Sequence, residues 1–199
     1  MSDATATSLL TPWAPVALHE AGHARVAQAL GVHVQGYHLS VEEVGEYVKV
    51  AGHISFEDPA ADRFGIHAKY ACRDMIAIAV AGHVAEQTWF GAEADKADDD
   101  DTISDRRDSE AADYWIGRLE RMQSVSTQRR AAILMQQTTR AGHIIRRDKA
   151  IVHRLALEAC ERIDRQLQRT GRSASIVVGG EELEALLAPT ESDRSLPDR

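Results

Sequence analysis

Nine histidines are spread over the 199 residues, and two of them stand where they can share an ion. His19 and His23 lie in "ALHEAGHARVAQALG", four residues apart. On a helix that spacing puts both imidazoles on one face, one turn apart. Two imidazoles so placed suit zinc, which takes nitrogen ligands in a tetrahedral shell. Glu20, rotated about 100° from His19 by the helical period, need not join that shell. It is placed instead to take a proton from a water that zinc has acidified, the chemistry of the H-E-x-x-H pattern in metallopeptidases.

A catalytic zinc site needs a third protein ligand and keeps one position open. Glu86 closes an apolar stretch, where an unpaired carboxylate is costly. It is a candidate either to ligate directly or to accept a proton from the far nitrogen of a ligand histidine. Asp105 and Asp108 begin a later helical segment. There a carboxylate is also explained by capping and the helix dipole. His33, His38, His53, His67, His83, His143 and His153 have no partner at ligand spacing, although His53 and His83 fall on elements near the expected cleft.

The tripeptide Ala-Gly-His occurs four times, ending at His23, His53, His83 and His143. The flanks differ in character, so no repeat unit accompanies them and a solenoid is not expected. Only the first copy follows His-Glu, and the other three read as coincidental.

The elements that must carry these residues are mainly helical. Thr11-Pro12 is a good helix opening and Gly31 a natural stop. From Gln35 to Phe56, "QGYHLS" and "YVKVAGHISF" alternate as paired strands do. Asp58-Pro59 then marks a turn. Ala71 to Phe90 reads as one helix, apolar nearly all round and therefore buried, with Gly91 ending it. The acidic "AEADKADDDDTIS" reads as a solvated loop. Helical patterning resumes near Ser104, with Ala112, Trp115, Ile116, Leu119 and Met122 on the core face. Further helices are expected over Gln128–Arg140 and Arg146–Arg169, and "IVVGGEELEALL" as a turn entering a last small helix. The expectation is one mainly α (α+β) domain over residues 11–187, with a small sheet beside the histidine helix. Residues 1–10 and 188–199 are expected to be flexible.

"HEAGHARVAQAL", "VAGHISF", "IAIAVAGHVAEQTWFG" and the acid-started helix after them together resemble the peptidase domain of FtsH-type zinc proteases. That resemblance implies zinc held by His19 and His23, with Glu20 as the base. Glu86 becomes a group supporting the ligands, and an aspartate opening the next helix is the third ligand. Asp108 is preferred, because it keeps Ala112 four and Ile116 eight residues on. Asp105 follows a serine and lies nearer the expected distance from Gly91. His83 and Gln87 depart from the arginine and second glutamate usual in the family.

The whole-chain numbers fit a soluble zinc peptidase of this kind. Apolar residues are 44% and charged residues 27%, with a net charge of −8. That acidity gives no footing for general nucleic-acid binding. The apolar run from Met75 to Ala85 is too short to span a membrane. Two cysteines without metal spacing suggest no disulfide framework, hence a reducing cytoplasm. No phosphate loop is present, so no ATP-driven unfolding is expected. Substrates should then be peptides or unfolded protein segments, pairing along the edge of Val48–Phe56. An oligomer is compatible with all of this. The alternatives are a zinc-binding regulatory module without turnover and a purely structural zinc domain.

Overall fold

A computed structural model of the chain describes residues 11–59, 65–91, 103–122 and 127–190, without the side chains of 103–105 and 127. The expectations for residues 1–10, for the acidic run and for 191–199 lie outside the described residues. The chain runs α1 (Ala14–Ala29), β1 (Val34–Val44), β2 (Tyr47–Phe56), α2 (Gly65–Ala79), α3 (Ala81–Phe90), α4 (Ile103–Met122), α5 (Thr127–Arg147), α6 (Lys149–Thr170), β3 (Ser173–Gly179) and α7 (Gly180–Leu187). It is mostly helical with a small antiparallel sheet, the α+β arrangement expected.

Helix α1 starts later than Thr11-Pro12 suggests. Trp13 is its N-cap and Pro15 fills the first turn, where a missing N–H costs nothing. It is buried along most of its length, from Ala17 through Ala27. Small side chains make that possible. A Cβ on Gly22 would lie 2.7 Å from the Ala85 Cβ and 2.8 Å from the Ala81 carbonyl oxygen, so α1 and α3 pack almost backbone to backbone.

The sheet order is β2-β1-β3, with β1 central. Gly45 and Glu46 join β1 to β2 in a two-residue turn, Gly45 taking the positive φ of 65° that the tight reversal requires. Tyr37, Leu39 and Val41 alternate inward from β1 onto the core. The Tyr37 hydroxyl donates to the Ala17 carbonyl at 2.9 Å, fastening the sheet to α1. Strand β3 was not expected. "SASIVVG" reads as the approach to a helix, but it pairs antiparallel with β1 from Gly36↔Gly179 to Glu42↔Ser173. Its alternating burial, with Ala174, Ile176 and Val178 inward, appears once β1 supplies a partner.

The apolar stretch expected as one helix is two. It begins at Gly65, breaks at Val80 and resumes at Ala81. The central run Met75–Ala79 is fully buried, as its composition demands. The two later helices also meet further along than expected, at Asp148. There Arg25 of α1 donates to the Asp148 carboxylate at 2.8 and 2.6 Å. Cys72 and Cys160 are buried free thiols. Among the described residues no helix is long and apolar enough to cross a membrane.

Candidate metal centre

Helix α1 directs His19 and His23 toward α3 and α4 from the same face. Their ring centroids are 4.7 Å apart and the rings stand edge to face. Asp108, in the first turns of α4, brings one carboxylate oxygen to 2.9 Å from both Nε2 atoms. His19, His23 and Asp108 thus offer two nitrogens and an oxygen within 4.8 Å of one another. The Asp105 side chain lies outside the described residues.

The outer nitrogens of the two rings are also occupied. His23 Nδ1 lies 2.6 Å from the Ile78 carbonyl oxygen, which can only accept, so Nδ1 carries the proton. His19 Nδ1 lies 3.1 Å from Glu86 Oε1 and donates to it. Both Nε2 atoms thereby face inward, and in the neutral rings that a metal would require their lone pairs would point at the ion. Glu86 sits behind His19 and outside the group of candidate ligands, in a supporting position.

The break at Val80 has a consequence for this site. The last carbonyls of a helix lack intrahelical partners. Near the end of α2, the Ile78 carbonyl takes the His23 proton. An uninterrupted helix would have used that carbonyl internally.

Glu20 is 4% exposed and lies against β2: a Cβ on Gly52 would come 2.5 Å from its Cγ and 2.8 Å from its Oε1. Burial pushes its pKa up, while the charges of His23 and His19 pull the other way. Burial alone would lower the His19 pKa, but hydrogen bonds to Asp108 and Glu86 prevail and raise it to about 10. For Asp108 burial acts upward, and the two histidines outweigh it, holding the carboxyl well below the usual range.

Three features suit this group to a divalent metal ion such as zinc. The donor set of two imidazoles and one carboxylate suits it. Each histidine is oriented from behind. Third, the wall facing both Nε2 atoms is Gly82, where a Cβ would sit 2.4 Å from His19 Nε2 and 2.5 Å from His23 Nε2.

Two of the three Ala-Gly-His copies set aside as coincidental are therefore part of the site. Gly52 lies against Glu20 and Gly82 against the histidine pair. Gly142 in the fourth copy has only the side chain of Arg146 close by, at 3.1 Å. The repeated tripeptide was the available signal, and its glycine carried the meaning. Of the two histidines noted near the cleft, His53 stacks on His38 across the β1–β2 ladder at 4.1 Å. His83 accepts from the Gln87 amide at 2.9 Å and helps line a cavity of about 450 Å³. Val80, Val84, Ala112, Ile116 and Leu134 form its apolar walls, and Asp108 borders it.

No protein-family model matches the sequence, and a search of curated proteins finds no significant relative.

Proposed function

We propose that the protein is a zinc-dependent metallopeptidase-like hydrolase, built like the peptidase domain of FtsH-type enzymes and acting on peptides or unfolded segments. The observation that carries this reading is the meeting of His19 Nε2, His23 Nε2 and one Asp108 oxygen, with Glu20 buried beside them.

In this reading His19, His23 and Asp108 hold zinc, which when bound supplies Lewis acidity to a water and to the scissile carbonyl. Glu20, buried beside the histidine pair, would take the proton of the attacking water and return it to the leaving amine. Glu86 and the Ile78 carbonyl keep the imidazoles in one tautomer throughout. Strand β2 is at the edge of the sheet, and its Gly52 adjoins Glu20. An extended substrate adding along that edge would bring its backbone past the base. The apolar cavity bordered by Asp108 would take a bulky apolar side chain next to the scissile bond. Buried free Cys72 and Cys160 support a reducing, cytoplasmic setting.

The test is Glu20→Gln. Metal analysis should find about one zinc per chain in wild type and variant alike. Hydrolysis of an unstructured peptide should fall by about 10²-fold or more in the variant. Zinc without hydrolysis in either form would identify a binding module in place of an enzyme. An absence of zinc from both would dismiss the metal centre.

A further inference from the structure

We infer that Gly52 and Gly82 are positioning residues of this site, each keeping a side chain out of space that the chemistry needs. The inference rests on the metal-centre reading and extends it to two residues that touch neither substrate nor ion through any side chain.

The distances separate the four Ala-Gly-His glycines by role. A Cβ closer than about 3 Å to a neighbour forces something to move. At Gly22 the neighbours are the Ala85 Cβ and the Ala81 carbonyl, so that glycine sets helix packing. At Gly82 all three nearest atoms belong to the histidines, namely His19 Nε2 at 2.4 Å, His19 Cδ2 at 2.5 Å and His23 Nε2 at 2.5 Å. A methyl group there would stand within bonding reach of both metal-facing nitrogens. The rings would have to swing away, and Glu86 and the Ile78 carbonyl hold them from behind. At Gly52 all three nearest atoms belong to Glu20, from 2.5 to 3.0 Å. A methyl there displaces the carboxylate and touches no ligand. At Gly142 the three nearest atoms all belong to the guanidinium of Arg146, the far end of a flexible side chain, at 3.1 to 3.5 Å.

Backbone conformation does not explain either requirement. Gly52 and Gly82 are absent from the glycines with positive φ, so an L-residue is accepted at both by the main chain. What excludes a side chain is the site itself.

The two substitutions therefore fail differently. Gly82→Ala should weaken zinc binding about 100-fold, as losing the orientation of a ligand does. Gly52→Ala should keep zinc at wild-type stoichiometry and lower kcat with little change in KM, as loss of a positioned base does. Adding Gly52→Ala to Glu20→Gln should cause no further loss, since Gly52 acts only through that carboxylate. Gly142→Ala should leave zinc and hydrolysis unchanged.

Zinc affinity is measured by competition with a chromophoric chelator, and folding by circular dichroism of the metal-free proteins. If metal-free Gly82→Ala is destabilised, its zinc affinity is measured at a lower temperature where it stays folded, beside wild type at the same temperature. Wild-type zinc affinity in a folded position-82 variant, or undiminished kcat in Gly52→Ala, overturns the inference. A wild type that binds no zinc overturns the metal-centre reading itself, which separates the two failures.

Discussion

Asp108 and Asp148 are both partly buried acids facing positive groups, yet they serve different ends. Asp108 faces two imidazoles whose outer nitrogens are already spoken for, so its carboxylate oxygen is the third member of an ion-sized group. Asp148 faces Arg25 and Arg147 and has no such neighbours. Its role is structural: it holds the end of α1 against the α5–α6 junction. Burial raises its pKa, but the hydrogen bonds from Arg147 and Arg25 prevail and lower it from 3.8. The folded-state pKa is depressed, so the stabilisation is present above the unfolded value and lost as pH falls through the folded one. Asp148→Asn should therefore cost about 2 kcal/mol at pH 7, a figure set by charged hydrogen bonds in a largely dry site. The gap in Tm between variant and wild type should narrow as pH falls below the ordinary aspartate value of 3.8 and on through the depressed folded-state one. A gap that stays constant as the acid is titrated would assign the effect to packing.

At the scale of elements, the site depends on one helix break and one strand placement. The α2–α3 break turns a helix carbonyl toward His23, and β1 holds β2 where Gly52 covers Glu20. Tyr37 is the tie that matters most for the second, being fully buried with its hydroxyl on the Ala17 carbonyl. Tyr37→Phe removes that bond and nothing else, so it should lower stability by about 1 kcal/mol. Denaturant unfolding would show this as a lower midpoint at unchanged slope. Zinc binding should persist in that variant, because neither imidazole is held by Tyr37. A proline at Ile54 would be a poor probe of edge pairing, because Ile54 packs against the core and its loss would disturb folding as well.

For the whole molecule, an ion held at the proposed site would couple metal binding to the fold. His19 and His23 come from α1, Asp108 from α4, and their supports from α2 and α3. An ion bound there joins elements far apart in sequence. Anything that binds only the folded state stabilises it, by about 2.7 kcal/mol at a free concentration 100 times Kd. Chelation should therefore lower Tm by several degrees, and added zinc should restore it. In His19→Ala the Tm should no longer respond to chelator or zinc. An equal response in wild type and His19→Ala would place the stabilising ion elsewhere.

Residue sequence alone settled the parts of this protein that follow from local periodicity. The four-residue spacing of His19 and His23 puts them on one helix face whatever surrounds them. The alternation from Gln35 to Phe56 makes paired strands for the same reason, and Met75–Ala79 is too apolar to be anything but buried. Local rules did not reach the rest. Strand β3 alternates over only seven residues and becomes a strand by pairing with β1, more than a hundred residues earlier. The break at Val80 has no proline to announce it. Asp108 meets His23 across 85 positions of chain. The glycines were visible as a repeated tripeptide, but their purpose was not. A missing Cβ has meaning only relative to what would occupy its place, and tertiary packing alone decides which atoms those are.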